Sequence, residues 1–391
     1  INIIGGTIKN ATGTDGGAGI GGGRGAGATI NITDGTIKKA EGKNGGAGIG
    51  GGRGAGATVT IKGGTIGSWD RGTQTVNKDD GAFSSGGAAI GGGAGASDDT
   101  TVTISNVLIH NAEGRDGGAG IGGGKNSSGA ANVNISSGEV HASTGSGNGG
   151  AAIGGGEQSE GAAKVNISGG EVYASTDYGN GGAAIGGGEQ SKGETKIDIS
   201  GNAQVYADGN DGAAIGGGRQ SESATEINIS EYAQVYADGR NGAAIGSGKD
   251  SSGATKIDIT GSALVSADGS NGAGIGSGKD SSGETTIKIH DTVTGKGVQR
   301  AFSASGAGIG SGSHASGKTH ITIGKASVST LGNYSSGAGI GTGYASSSDA
   351  DITIERNSTV NADGGTGAAI GSGVDSKGIT SISIKGSNVT A

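Results

Sequence analysis

Aromatic, acidic and amide side chains recur at fixed places in a repeated, Val- and Ile-rich segment of this sequence. An imidazole or phenol occupies one repeated position, and an acid or amide stands two residues before it. In the later copies an aspartate follows two residues after it. The first position holds His110, His141, Tyr173, Tyr206 and Tyr236, the preceding one Glu139, Glu171, Gln204 and Gln234, and the following one Asp208, Asp238 and Asp268. We call the first set the aromatic stripe.

An exposed aromatic row beside acids and amides is suited to carbohydrates, because sugar rings stack on aromatic faces while polar groups reach the hydroxyls. The candidate ligand-binding residues are therefore His141, Tyr173, Tyr206, Tyr236, Glu171, Asp208 and Asp238. The same pattern also suits a purely structural role, since like residues that stack between neighbouring repeats stabilise each other. The sequence leaves both interpretations open.

Catalysis is the alternative use of these acids, for example Glu171 together with Asp208 in a polysaccharide hydrolase or lyase. The acids, however, are spread along the chain by the repeat instead of gathering in one place. The five histidines lack the spacing of a zinc site, and no P-loop or nucleophile elbow occurs. We therefore predict a protein without catalytic residues and without a metal centre.

Calcium is a second alternative for the aspartates. Stacked carboxylates at Asp208, Asp238 and Asp268 repel one another unless a cation or water screens them. The chain lacks the aspartate-containing nonapeptide of calcium-binding β-roll repeats, and solvated surface acids are the simpler interpretation. Our prediction is no cofactor, with Ca²⁺ kept as the alternative.

One heptapeptide, Gly-Ala-[Gly/Ala]-Ile-Gly-[Gly/Ser/Thr]-Gly, appears twelve times, from Gly17–Gly23 to Gly367–Gly373. Between successive copies stand two short segments in which β-branched residues alternate with polar ones, such as Val165-Asn166-Ile167 and Glu171-Val172-Tyr173. Three short strands in about 30 residues are typical of one coil of a parallel β-helix. We predict an all-β, right-handed parallel β-helix of about twelve coils, with Ile and Val ladders inside.

The heptapeptide itself has few side chains. If its Ile points inward, the Gly or Ala before it and the Gly after it point outward, which predicts a bare Gly/Ala face. Such a face suggests self-association, with the chain as a laterally packed filament subunit. Asp or Asn stands shortly before many of the copies, as at Asp15 and Asn44, and Asx-Gly is turn chemistry.

Two coils depart from the pattern. The coil at 59–101 contains an insertion with the only tryptophan, Trp69, and the coil at 287–320 is slightly lengthened. Insertions in solenoids lie on one face, often the binding face, so Trp69 joins the candidate ligand-binding residues. The alternative is that Trp69 merely caps its own loop.

The amino-acid composition argues against several other classes of protein. With 96 glycines but no proline and no three-residue period, the chain is not collagen. The net charge is −8 with both signs interspersed, which argues against nucleic acid as a partner, and no apolar run reaches membrane-spanning length. The chain begins and ends within the repeat, so we expect one repeat domain over 1–391 that is a segment of a longer protein.

The run Val165–Ala174 followed by Gly182–Gly188 resembles the glycine-rich repeats of large surface proteins of Gram-positive anaerobic bacteria. The resemblance covers nearly the whole chain. It implies a secreted or cell-surface, adhesin-like protein whose partners are glycans or a host or cell-surface polysaccharide. No residue roles follow from it, so the resemblance favours a structural or adhesive rod over an enzyme without identifying its binding residues.

Overall fold

The computed structural model describes residues 1–70, 75–77, 79–145, 149–292, 296–332 and 335–391. Every regular element within them is a β-strand. By its internal contacts the chain divides into two compact units, Ile1–Lys196 and Ile197–Ala391. It completes about twelve turns of about 31 residues each, which confirms the predicted parallel β-helix. The right-handed sense of the coil stays a prediction.

Each coil contains three strands, which we call first, second and third in chain order. In Ile1–Lys196 the first strands are Asn2–Ile8, Ala28–Ile37, Ala57–Ile61, Thr100–Ile104, Ala131–Ile135 and Ala163–Ile167. The second strands are Ala11–Gly13, Lys39–Gly42, Thr65–Ile66, Gly81–Ser84, Val107–Gly114, Gly138–Thr144 and Glu171–Thr176. The third strands are Ile20–Gly21, Ile49–Gly50, Ile90–Gly91, Ile121–Gly122, Ile153–Gly154 and Ile185–Gly186. The strand Thr195–Ile199 contains the unit boundary.

The second unit repeats this arrangement. Its first strands are Thr225–Ile229, Thr255–Gly261, Thr285–Thr292, Thr319–Gly324, Ala350–Ile354 and Thr380–Ile384. The second strands are Gln204–Gly209, Gln234–Gly239, Leu264–Gly269, Gly297–Ser303, Ser327–Leu331, Thr359–Asn361 and Asn388–Thr390. The third strands are Ile215–Gly216, Ile245–Gly246, Ile275–Gly276, Ile309–Gly310, Ile340–Gly341 and Ile370–Gly371.

The core is a set of aliphatic ladders. Parallel pairing places like residues opposite each other, as with Val133 and Val165 or Ile227 and Ile257. The inward residues of a coil, for example Ile167, Val172 and Ile185, are fully buried. The first and second strands therefore alternate a buried, mostly aliphatic residue with an outward one, and it is this alternation that turns the stripe positions outward.

The predicted bare Gly/Ala face is wrong. All ten heptapeptides from Gly46–Gly52 to Gly337–Gly343 are buried throughout, including the residue before each Ile. The reason is a tight turn in which the Ala N–H bonds the carbonyl four residues on, as from Ala183 to Gly187 at 2.9 Å. This turn brings the segment against the second strands, so that a Cβ on Gly120 would lie 2.7 Å from the carbonyl oxygen of Ala112. The surface that was predicted for self-association is therefore buried in these ten copies.

The glycine after each Ile is needed for a conformational and steric reason. At Gly50 the backbone adopts φ 147°, and a Cβ there would collide with the carbonyl oxygen of Gly91 in the next coil. Three of the turns before the heptapeptides agree with the Asx-Gly prediction, because Asp15, Asn44 and Asp116 adopt φ of 54°, 56° and 53°. The glycine after the Ile is required by how closely successive coils approach.

The insertion in the coil at 59–101 contains a short antiparallel hairpin of Trp69–Asp70 and Thr75–Val76. The side chain of Trp69 lies outside the described part of the structure. Its predicted part in ligand binding stays a prediction.

Candidate functional site: the aromatic stripe

The stripe positions of the first unit lie on the second strands Gly138–Thr144 and Glu171–Thr176. The register pairs His141 with Tyr173 and Glu139 with Glu171. The flanking residues Val140, Val172, Ala142 and Ala174 are buried, so the stripe residues and their acids face outward and are partly exposed. The sequence prediction of stacked, outward aromatic and acidic positions is confirmed here.

The two rings stack on each other face to face. The centroids of His141 and Tyr173 are 4.5 Å apart, with 9° between the ring planes. Each ring is held by the acid two residues earlier: His141 Nε2 lies 2.8 Å from Glu139 Oε1, and the Tyr173 hydroxyl donates to Glu171 Oε1. Both rings are thereby fixed in orientation, with their edges and polar atoms towards solvent.

A groove lies beside this pair. It has a volume of about 410 Å³ and is lined by His110, Asn111, Glu113, His141, Tyr173, Asp177 and the backbone and small side chains between them. Glu113 is neutralised by Arg115, whose Nε lies 2.7 Å from Glu113 Oε1. The groove therefore offers two imidazoles, a phenol, an amide and the carboxylate of Asp177, which are hydrogen-bonding groups of the kind that sugar hydroxyls need.

His110 lies in the groove because its strand shifts register between Ile109 and Ala112. This shift was not predicted from the sequence. Ile109 pairs with Val140 and Ala112 with Ala142, so His110 and Asn111 together face the single residue His141. The sequence signal was present, since Ile109-His110-Asn111-Ala112 has one residue more than Val140-His141-Ala142. Burial lowers the pKa of His110 below 6.5, with the charge of His141 adding to the effect and Glu139 opposing it. His110 therefore favours its neutral form, which both donates and accepts hydrogen bonds.

The second unit has its own aromatic pair on Gln204–Gly209 and Gln234–Gly239. Tyr206 pairs with Tyr236, and their ring centroids are 5.2 Å apart with 8° between the planes. On the other side Tyr236 pairs with Ser266, whose side chain is small. Tyr236 is 45 % exposed, so this pair has an open ring face as well as ring edges.

An aspartate row runs beside this pair. Asp208 pairs with Asp238, and Asp238 with Asp268. Burial raises the pKa of all three carboxyls, and the neighbouring charge of Asp238 raises that of Asp208 further. Arginine opposes the effect, most directly where Arg300 Nε lies 2.9 Å from Asp268 Oδ1.

The predicted site residues fall in both units. His141, Tyr173 and Glu171 belong to the first unit, whereas Tyr206, Tyr236, Asp208 and Asp238 belong to the second. The catalytic alternative paired Glu171 with Asp208, which lie in different units. Among the residues that the structure describes, no group of three or more His, Cys, Asp or Glu side chains could hold a metal ion. The Ca²⁺ alternative thus gains no support from the described side chains.

A family model described as a β-helix repeat matches five stretches of the chain. They are residues 1–24, 30–53, 133–157, 165–189 and 197–219. Each stretch covers much of one coil, and the structure shows the same coil architecture elsewhere in both units. The fold of the chain is thus a parallel β-helix built from repeats. No curated protein and no solved structure matched it significantly.

Within the described ranges of this β-helix repeat protein, no helix is both long and apolar enough to cross a bilayer. Parallel β-helices serve both as scaffolds and as enzymes. The fold therefore supports a repeat scaffold, and the choice between adhesion and catalysis depends on the site.

Proposed function

We propose that this chain is a non-catalytic, adhesive rod of an extracellular bacterial surface protein, and that it binds glycans along the aromatic stripe. The observation that carries the proposal is the pair of outward ring stacks, His141 with Tyr173 and Tyr206 with Tyr236, each flanked by polar side chains. The resemblance to bacterial surface repeats favours the same function and location.

The open face of Tyr236 is the sugar platform in this proposal. The other face of its ring is covered by Tyr206, which keeps the platform in one orientation before any ligand arrives. A preorganised aromatic surface loses little side-chain entropy on binding, so that a single sugar ring gains more from stacking there. Gln234 and Asp238, on the same outward side, are placed to reach the sugar hydroxyls.

A glycan array with the intact chain tests the proposal, followed by titration of the best ligand against two variants. Tyr236→Ala should weaken binding roughly tenfold, because it removes the platform. The matched control is Tyr232→Ala, since Tyr232 is 65 % exposed but lies outside the stripe. Absence of binding across a broad array, or equal losses in both variants, would overturn the proposal.

The alternative is a polysaccharide hydrolase or lyase. It is favoured by one observation, the raised pKa of Asp208, Asp238 and Asp268, since perturbed carboxyls occur often at active sites. These three aspartates, however, occupy the same position in successive coils. A repeated sequence produces such a row without any selection for catalysis. Release of new reducing ends or unsaturated products from a polysaccharide panel, abolished by Asp238→Asn, would establish the enzyme.

A further inference from the structure

The residues directly after the heptapeptides form a column, and most of them are charged. In the first unit this column reads Arg24, Arg53, Ala94, Lys125, Glu157 and Glu189. Successive members are neighbours: Gly25 N–H donates to the Arg53 carbonyl at 2.8 Å, and Gly54 N–H donates to the Ala94 carbonyl at 2.8 Å. In the second unit the equivalent positions begin Arg219, Lys249 and Lys279.

Most cations of this column have an acidic partner. Lys125 Nζ lies 3.0 Å from Glu157 Oε2 on the next rung. In the second unit Arg219 lies 3.5 Å from Asp211, Lys249 3.5 Å from Asp250, and Lys279 3.4 Å from Asp280. A paired cation is the rule in this column.

Arg24 and Arg53 are the exceptions. Both are exposed, and neither forms an ion pair or a side-chain hydrogen bond with any residue that the structure describes. Two sequence differences explain this. The position that carries Asp211 in the second unit is Gly16 and Gly45 here, and the rung after Arg53 carries Ala94 where the rung after Lys125 carries Glu157.

The same small residues leave space beside the arginines. A cavity of about 510 Å³ is lined by Asp15, Arg24, Asn44, Gly45, Arg53, Ser85 and Gly86. Asp15 is the only acid among these residues. Residues 1–62 carry seven Lys and Arg against three Asp and Glu, a side-chain charge of +4 in a chain whose net charge is −8. The net charge of the whole chain conceals this local excess of positive charge.

We propose that Arg24 and Arg53 bind the carboxylate or sulfate groups of an acidic polysaccharide. The backbones of Arg24 and Arg53 lie on adjacent rungs, whose spacing is about 5 Å, so two like charges are held near each other and a bound oxyanion would attract both. The planar donor fork of arginine matches such groups, and the amide of Asn44 adds a further donor. Two cations beside Asp15 are too few to hold a nucleic acid, whose proteins typically contact about six or more phosphates.

This site is separate from the aromatic stripe and does not depend on it. The test measures binding of polygalacturonate, which carries carboxylates, and of dextran sulfate, with neutral dextran and a DNA oligonucleotide as comparison ligands. The double variant Arg24→Gln/Arg53→Gln should lower affinity for an acidic polysaccharide by about tenfold or more. The matched control, Lys249→Gln/Lys279→Gln, removes the same charge from paired cations and should leave affinity unchanged.

A second variant keeps both arginines. Ala94→Glu places a carboxylate next to Arg53 as Glu157 stands next to Lys125, and it should also lower the affinity by about tenfold while the melting temperature is retained. Preference for polygalacturonate or for dextran sulfate identifies the anionic group. Equal loss in the lysine control, full binding by Ala94→Glu, or binding of DNA alone would overturn the proposal. Tyr236→Ala should not change this binding, so its outcome is distinguishable from that of the stripe.

Discussion

The units Ile1–Lys196 and Ile197–Ala391 have aliphatic cores of the same kind but differ in the polar groups built on them. Each has six third strands beginning with a buried or nearly buried Ile. On the stripe, the first unit pairs an imidazole with a phenol and fixes both with glutamates, whereas the second stacks two phenols beside glutamines and aspartates. A repeat can therefore keep its packing constant while its outward chemistry changes from coil to coil.

The heptapeptide shows a second difference. Its sixth residue is Gly in the first unit, and there the next residue's N–H bonds a backbone carbonyl, as from Gly52 to Ala26 and from Gly93 to Ala55, both at 3.1 Å. In the second unit the sixth residue is mostly Ser or Thr, and its hydroxyl accepts the corresponding N–H of the next coil. Examples are Gly312 N to Ser277 Oγ at 3.0 Å and Gly343 N to Ser311 Oγ at 3.1 Å. Side chains replace backbone carbonyls as acceptors between coils.

The largest effect on stability should come from substitutions in the aliphatic core that each unit has. Ile185→Asp places an unpaired charge where the side chain is fully buried and should reduce the free energy of unfolding by at least about 4 kcal/mol. Ile245→Asp in the second unit should do the same, because Ile245 is equally buried. Thermal melting followed by circular dichroism measures both, with Ile185→Val as the mild control at about 1 kcal/mol. A wild-type melting temperature for either Asp variant would contradict the core assignment.

The serine contacts should give an intermediate effect that is confined to the second unit. Ser277→Ala removes the acceptor of the buried Gly312 N–H and should reduce the free energy of unfolding by about 1–2 kcal/mol. Ser282→Ala, at an exposed serine nearby, is the control and should change little. Urea unfolding distinguishes the two. Equal stability of the two variants would mean that the serine hydroxyl is not needed as an acceptor.

The smallest effect concerns the aspartate row and depends on pH. The folded-state pKa of Asp208 is raised by burial and by Asp238, so the folded chain holds this proton more tightly than the unfolded chain. Stability contributed by this carboxyl is therefore lost as pH rises from about 3.9 through the raised folded pKa. Asp208→Asn should increase the free energy of unfolding at pH 7 by less than about 1 kcal/mol, since the group is exposed, and should have no effect at pH 3. The melting temperature at the two pH values measures both.

Glu171→Gln in the first unit should change the stability at pH 7 in the opposite direction. It weakens the charged acceptor of the Tyr173 hydroxyl and should lower the melting temperature at pH 7. If both variants changed stability in the same direction, the contrast between a glutamate that holds a ring and an aspartate that repels its neighbour would not hold.

The sequence by itself determined the coil. The alternation in Val165-Asn166-Ile167 and the recurrence of the heptapeptide Ile predict strands, inward ladders and stacking of like residues, because these depend only on the two-residue period of a strand and on the length of a coil. The ring pairs of the stripe followed from the same periodicity.

Only the tertiary structure decided what covers each position. The residue before the heptapeptide Ile should face outward by local alternation, yet in ten of the twelve copies it is buried because a turn brings it against the second strands. The pairing of Lys125 with Glu157, and the absence of such a partner for Arg53, likewise depend on residues about 30 positions apart that meet across coils. Periodicity fixes the direction of a side chain along its own strand, whereas burial and charge pairing depend on the neighbouring strand and coil.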